Sequence, residues 1–163
     1  SKNITTPLGV KESFLPTNNI VLGSILRAGL PLHQGLLNYF DDAENAFISA
    51  YRSHPNNDAE FEIVVEYFAA PSIDDKTLIL ADPMLATGQS LVSVYDAIQK
   101  HGTPKELHLV CVIGATEGIE FIKNHFPENT HLWIAAIDDK LNDKGYIIPG
   151  LGDAGDLAFG AKL

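Results

Sequence analysis

Six short apolar runs alternate with stretches in which apolar residues recur every three or four positions. The runs Ile20–Ile25, Ala46–Tyr51, Phe61–Phe68, Leu78–Ala81, Leu107–Ile113 and Thr130–Ile137 are rich in branched and aromatic side chains and predict strands. Leu32, Leu36, Leu37 and Phe40 mark a helix over 30–40, and Leu91, Val94, Tyr95 and Ile98 mark another over about 88–100 that ends at His101-Gly102. Phe121, Ile122 and His125 mark a third after Ala115-Thr116-Glu117-Gly118. Strands alternating with helices call for right-handed crossovers, so the expectation is an α/β fold: a mainly parallel sheet flanked by helices. From Asp138 onward neither periodicity holds, and a loop-like tail is expected.

The most informative boundary is Thr77 to Ser90. Leu78-Ile79-Leu80-Ala81 reads as a strand buried on both faces, and Asp82-Pro83 stops it, since proline cannot extend a central ladder. Ala86-Thr87-Gly88-Gln89-Ser90 then leads directly into the second helix. A strand, a small polar turn and a helix N-terminus suit an anion: the first N–H groups of the helix lack internal partners, and the macrodipole adds positive potential. Thr87 and Ser90 could add hydroxyl donors, Gly88 permits close approach, and Asp82 stands at the strand's carboxyl end. The same residues also suit an ordinary N-cap turn. Arg27, in the turn Arg27-Ala28-Gly29 after another buried strand, is a second anion-ligand candidate, its fork of donors matching phosphate oxygens. Ser53 to Glu60 is polar and turn-rich between two β stretches, the pattern of a flap able to close over a site.

Composition narrows the reading. A chain of 163 residues, 45% hydrophobic, suits one domain with a real core. The net charge of −10, with no Lys/Arg run, disfavours nucleic acid as a partner. Cys111 sits inside Leu109–Ile113 as a core residue, and one cysteine makes no disulfide framework, which favours a reducing cytoplasm. No apolar run approaches the ~18 residues needed to cross a bilayer. His101, His108, His125 and His131 have no metal-ligand spacing and are expected in solvent. Gly150-Leu151-Gly152-Asp153-Ala154-Gly155 formally fits a dinucleotide fingerprint but lacks the βαβ context it requires. With Gly145 it reads instead as a loop whose main chain closely approaches a ligand.

Three stretches carry a resemblance. Asp82-Pro83-Met84-Leu85-Ala86-Thr87-Gly88-Gln89-Ser90 resembles the phosphoribosyl pyrophosphate loop of the uracil phosphoribosyltransferase family. Ile25-Leu26-Arg27-Ala28-Gly29-Leu30 and Gly145-Tyr146-Ile147-Ile148-Pro149-Gly150-Leu151-Gly152-Asp153-Ala154-Gly155-Asp156 resemble the same family, in the same order. The resemblance implies a phosphoribosyltransferase fold over 1–163, with a β flap, a C-terminal hood loop over the base, and the family's N-terminal helical segment missing. It implies transfer of the phosphoribosyl group to uracil, giving UMP and pyrophosphate. Residues 82–90 would bind phosphoribosyl pyrophosphate, with the 5′-phosphate on the Thr87–Ser90 turn and the ribose hydroxyls on Asp82. Arg27 and Arg52 would stabilise the pyrophosphate, and Asp153 would turn toward the same substrate. The base would be read by Ile147, Gly152, Asp153 and Ala154. Magnesium would ride on substrate and water rather than on protein ligands, because Asp82-Pro83 replaces the acidic pair common in other phosphoribosyltransferases. Gln89 stands where glycine is frequent, so its side chain would either crowd the phosphate or donate to it. A homo-oligomer in the cytoplasm, with no nucleic-acid or membrane partner, completes the expectation. The competing reading is a non-catalytic nucleotide-binding regulator on the same fold.

Overall fold

The structure is a computed structural model describing residues 1–14, 19–53 and 62–162, with the side chains of 51–53 and 62–63 outside the description. An antiparallel hairpin comes first, β1 (Lys2–Thr6) with β2 (Gly9–Ser13). The sheet is built from β3 (Ile20–Leu26), β4 (Glu44–Ser53), β5 (Glu62–Ala69), β6 (Thr77–Ala81), β7 (Met84–Leu85), β8 (Glu106–Ala115) and β9 (His131–Asp138). Its spatial order is β5-β4-β3-β6-β8-β9, with β7 lying along β8 beyond the end of β6. Every pairing is parallel except β4 with β5, which gives the α/β sheet expected from the alternating pattern.

Helix α1 (Leu30–Leu37) follows β3, α2 (Gln89–Ile98) follows β7, and α3 (Thr116–His125) follows β8. Pro31 falls in the first turn of α1, where its missing N–H costs nothing. In α2, Leu91, Val94, Tyr95 and Ile98 form one buried stripe, packed with Ile48, Leu80, Leu109 and other residues of the sheet's inward face. On β4 the alternation sends Ile48 to that core and Phe47 to the opposite face, where its ring meets His33 of α1 at 4.8 Å. Helices therefore cover both faces. Cys111 lies in the core at 4% exposed, and burial pushes its thiol well above the ordinary range, so it is inert. Beyond α1, the same face exposes an apolar groove of about 410 Å³ between Leu36, Phe40, Ile79, Val110 and Trp133, with Trp133 58% exposed.

Three features depart from the sequence expectation. The hairpin β1–β2 is exposed along its length and carries no alternation that would have marked it. The tail is more regular than expected: β10 (Lys140–Leu141) pairs with β11 (Ile147–Ile148), and a short α4 (Ala154–Phe159) follows the glycines. That helix is only six residues long, too short for a periodic face, and it is set by a cap: Asp153 accepts from the N–H of Asp156 at 2.9 Å. Third, the histidines are not all in solvent: His33, on which the sequence carried no expectation, is buried, with Nε2 2.8 Å from Asn45 Oδ1. His108, expected in solvent, is instead half-buried and accepts from the indole N–H of Trp133 at 3.0 Å. The two strands flanking the expected flap are present, whereas most of its loop lies outside the described residues.

Two glycines allow a direct test of this packing. A Cβ on Gly118 would collide with the carbonyl of Ala86, a backbone group that cannot rotate away, whereas a Cβ on exposed Gly35 in α1 would meet nothing within 4 Å. Gly118→Ala should destabilise by about 1–3 kcal/mol, and Gly35→Ala should stabilise by about 0.5–1 kcal/mol. Urea unfolding of both variants measures this; a neutral Gly118→Ala would contradict the seating of the 86–88 loop on α3.

Candidate active site

The site is created where strands part. Up to Ser24↔Ala81, β3 and β6 are partners. Past that point β3 stays with β4 to Leu26, while the other chain, after Asp82-Pro83, stays with β8 through Met84↔Ile113 and Leu85↔Gly114. Pro83 has no N–H to continue a ladder, and its carbonyl instead accepts from Val112 at 3.1 Å and Ile113 at 3.0 Å. A cleft of about 750 Å³ opens at the carboxyl ends of these strands. This is where open α/β sheets place ligands.

One wall is the loop into α2. Ala86, Thr87, Gly88, Ser90 and Leu91 line the cleft. Gly88 is the N-cap, with φ at 82° and no side chain of its own to cap the helix; the Gln89 N–H meets the Thr87 hydroxyl, and the remaining N–H groups of the first turn have no partner within the helix. The loop is held from behind: a Cβ on Gly88 would come within 2.9 Å of Ile122, and Gly118 admits the Ala86 carbonyl. Thr87 uses its hydroxyl as an acceptor, at 3.4 Å from the Gln89 N–H, rather than only as a donor.

Asp82 and Met84 line the floor. The Met84 N–H donates to Asp82 Oδ1 at 3.2 Å. Burial raises the Asp82 carboxyl from its usual range to about 6, with that single hydrogen bond opposing the shift. A carboxylate held this way remains mostly ionised at neutral pH and keeps a free oxygen for a ligand hydroxyl.

The opposite wall is the turn after β3, where Arg27 and Ala28 line the cleft and the Leu26–Arg27 peptide is cis. Arg27 Nη2 donates to Asp156 Oδ1 at 2.8 Å and to the Gly160 carbonyl at 3.1 Å. The tail forms the roof through Tyr146, Ile147, Gly152 and Asp153. Its shape is set by polar anchors: Asn142 Oδ1 accepts from Lys144 and Tyr146, and Asp138 Oδ2 accepts from the Gly150 N–H at 3.1 Å. Gly150, at φ 52°, folds directly over the Ile147 carbonyl, and Gly152, at φ 81°, faces open space. Asp153 is held below the usual carboxylate range, burial being outweighed by the N–H groups of Asp156 and Gly155 and by Lys162, whose ammonium lies 3.5 Å away.

Of the residues singled out in sequence, Arg27, Asp82, Met84, Leu85, Ala86, Thr87, Gly88, Ser90, Ile147, Gly152 and Asp153 converge on one cleft. Pro83, Gln89 and Ala154 do not line it. Pro83 is buried against β8, which makes it a shaper of the floor. Gln89 neither crowds the cleft nor donates into it: its Oε1 is buried without a protein partner. Arg52 lies in β4 opposite Ile63, and its side chain is outside the description. Sequence reasoning missed Lys144, Tyr146 and Lys162, which also line the cleft. Lys144 and Tyr146 flank Gly145 at the start of the tail motif, a signal within reach; Lys162 stands beyond it.

Comparison with known proteins gives a consistent result. A sequence model described as "Uracil phosphoribosyltransferase" matches residues 1–161. A uracil phosphoribosyltransferase of Porphyromonas gingivalis is 51% identical over 162 residues, 99% of this chain and 74% of that protein. One from Pyrococcus furiosus is 45% identical, over 98% of this chain and 68% of the relative. Among solved structures, the AQ2163 protein of Aquifex aeolicus superposes with a TM-score of 0.86 at 35% identity, covering 99% of this chain and 76% of that one. A purine phosphoribosyltransferase of Pyrococcus horikoshii shares the fold at a TM-score of 0.55 and 18% identity, over 76% of this chain and 80% of that one.

The raised Asp82 carboxyl has a cost in the unliganded protein. A folded-state value above the unfolded one contributes stability below about pH 4 that is lost as pH rises through about 6. Asp82→Asn should therefore raise the thermal midpoint at pH 7.5, corresponding to roughly 1–3 kcal/mol, and the gain should vanish near pH 4. Equal midpoints at pH 7.5 would contradict the burial argument.

Proposed function

The chain belongs to the uracil phosphoribosyltransferase family, and from that premise we propose that it transfers the phosphoribosyl group of phosphoribosyl pyrophosphate to uracil, releasing pyrophosphate and UMP. The observation that carries the site assignment is the convergence of an uncapped helix N-terminus, a buried carboxylate, an arginine and a glycine-rich roof on one cleft. In the reaction the C1–O bond to pyrophosphate breaks, a C1–N1 bond to uracil forms, and the N1 proton passes to solvent. C1 gains positive character as the leaving group departs, so the enzyme must anchor the phosphate, neutralise the pyrophosphate and hold the base in line.

Each task has a candidate in the cleft or at its edge. The N–H groups of the turn from Thr87 to Ser90 donate to the 5′-phosphate, helped by the macrodipole of α2. Asp82 receives the ribose hydroxyls and favours the charge that develops beside them. Arg27 and Arg52 bind the pyrophosphate by charge-assisted hydrogen bonds. Main-chain groups at Ile147 and Gly152, and at Ala154 between the cleft-lining Asp153 and Gly155, read the two carbonyls and the N–H of uracil, and the open space over Gly152 leaves room for a planar ring.

Magnesium is the proposed cofactor. Among the described residues no three His, Cys, Asp or Glu side chains gather as a metal cage. The cleft's carboxylates, Asp82 and Asp153, fit an ion that arrives on pyrophosphate oxygens and keeps its waters, as Mg²⁺ prefers. Bound there, it would neutralise charge on the leaving group. A homo-oligomer is proposed as well; the exposed β1–β2 hairpin and the apolar groove beside Trp133 support it. Among the described residues no helix is long and apolar enough to cross a membrane, and a cytoplasmic location is proposed.

An assay of the purified protein with each nucleobase, phosphoribosyl pyrophosphate and Mg²⁺ tests this reading. UMP should form from uracil, and activity should fall as pH drops through about 6, where Asp82 is protonated. Cytosine exchanges the O4 acceptor for a donor and loses the N3 proton, and fixed main-chain groups cannot turn to follow. Discrimination of at least ~10³-fold in kcat/KM, on the order of 4 kcal/mol, is expected. Comparable use of cytosine would contradict the main-chain reading of the base.

A further inference from the structure

Arg27 is committed to the protein's own tail. A guanidinium presents two forks of parallel N–H bonds, Nε with Nη2 and Nη1 with Nη2, and Nη2 belongs to both. Here Nη2 gives one proton to Asp156 Oδ1 at 2.8 Å and the other to the Gly160 carbonyl at 3.1 Å. Neither fork is left whole for a bidentate grip on a phosphate. The remaining fork member on the other side, Nε, is buried with no hydrogen-bond partner, a standing cost of this arrangement. Both carboxylate and arginine are more than a third exposed, so the pair is screened and open to exchange.

We propose that Asp156 holds Arg27 in reserve, and that the pyrophosphate of the donor substrate displaces this carboxylate when it binds. The inference rests on the reading of Arg27 as a pyrophosphate ligand. A doubly or triply charged pyrophosphate offers more oxygens and more charge than one carboxylate, and turning toward it would free both forks and relieve Nε. The exchange also reaches the tail. Helix α4 has six residues and cannot persist alone. It is tied down by the Asp153 cap, by Arg27 at Asp156 and Gly160, and by the close approach of Gly155 to Ala28. Removing the Arg27 ties on pyrophosphate arrival loosens the C-terminal end of α4, the helix that follows the base-reading loop, while the loop's own anchors at Asn142 and Asp138 stay in place. Asp156 thus acts through Arg27 and couples that residue's wall of the cleft to the tail.

Binding of phosphoribosyl pyrophosphate with Mg²⁺, measured by calorimetry in the absence of uracil, tests the exchange. Arg27→Ala should weaken binding tenfold or more. Asp156→Asn should tighten it about three- to tenfold, Asp156→Glu should stay near wild type, and Asp156→Asn should have no effect in the Arg27→Ala background. Hydrogen exchange supplies an independent readout: pyrophosphate should lower protection of the Gly160 amide, which donates to the Asp156 carbonyl, in the wild-type protein. In Asp156→Asn that amide should already be less protected and insensitive to ligand. If Arg27→Ala leaves affinity unchanged, the reading of the site itself fails and the exchange with it. If Arg27→Ala weakens binding but Asp156→Asn also weakens it, or pyrophosphate raises Gly160 protection, the site stands and the exchange is overturned.

Discussion

The parting of two parallel strands at Asp82-Pro83 is the constraint on which the rest of this structure depends. As long as β3 and β6 pair, the sheet is continuous and closed. Once proline removes a donor and its carbonyl turns to β8, the chain follows β8 while β3 remains with β4, and the gap between them becomes the cleft. The same two residues set the chemistry on its floor, because the last residue before the break is a carboxylate drawn out of water. Nothing about this needs a special element. It follows from asking a central strand to stop pairing on one side only.

What surrounds the gap leaves main-chain groups unpaired at its rim and holds them by close packing from behind. The turn into α2 has a glycine cap with no side chain to close it, yet its back is pressed onto α3 at Gly118 and Ile122. The roof has three positive-φ glycines, Gly145, Gly150 and Gly152, but is pinned by Asn142 and Asp138. Exposed main-chain donors on a rigid backing are what electrostatic stabilisation of a transferring phosphoryl sugar requires, since dipoles already in place need not reorganise during the reaction. The raised carboxyl of Asp82 is the stability given up for that arrangement.

Much of this was legible from residues alone, for definite reasons. Strands and helices with a buried stripe announce themselves by period, and β6 and α2 did so through Leu78–Ala81 and through Leu91, Val94, Tyr95 and Ile98. Asp82-Pro83 was readable because proline's effect on a ladder is local. Elements whose stability comes from contacts far along the chain were not readable. Helix α4 exists through a cap and a bond to Arg27, 129 residues away from Asp156, and no local pattern encodes that. The hairpin β1–β2 has both faces exposed and so no alternation to detect. Direction within a motif was equally hidden: Pro83 and Gln89 sit in the loop's sequence but do not line its cleft, Pro83 because its carbonyl is taken by β8 and Gln89 as the first residue of α2.

Everything in this mechanism rests on the first turn of α2 being a phosphate site created by the strand break. The most direct measurement is a titration of the ¹⁵N-labelled protein with UMP and with uridine, following the backbone amides of Thr87, Gly88, Gln89 and Ser90. UMP should shift these amides strongly, and uridine, which has the same base and sugar but no phosphate, should leave them in place while shifting the tail around Gly152. Amides at 87–90 that do not respond to UMP, or that respond equally to uridine, would contradict it.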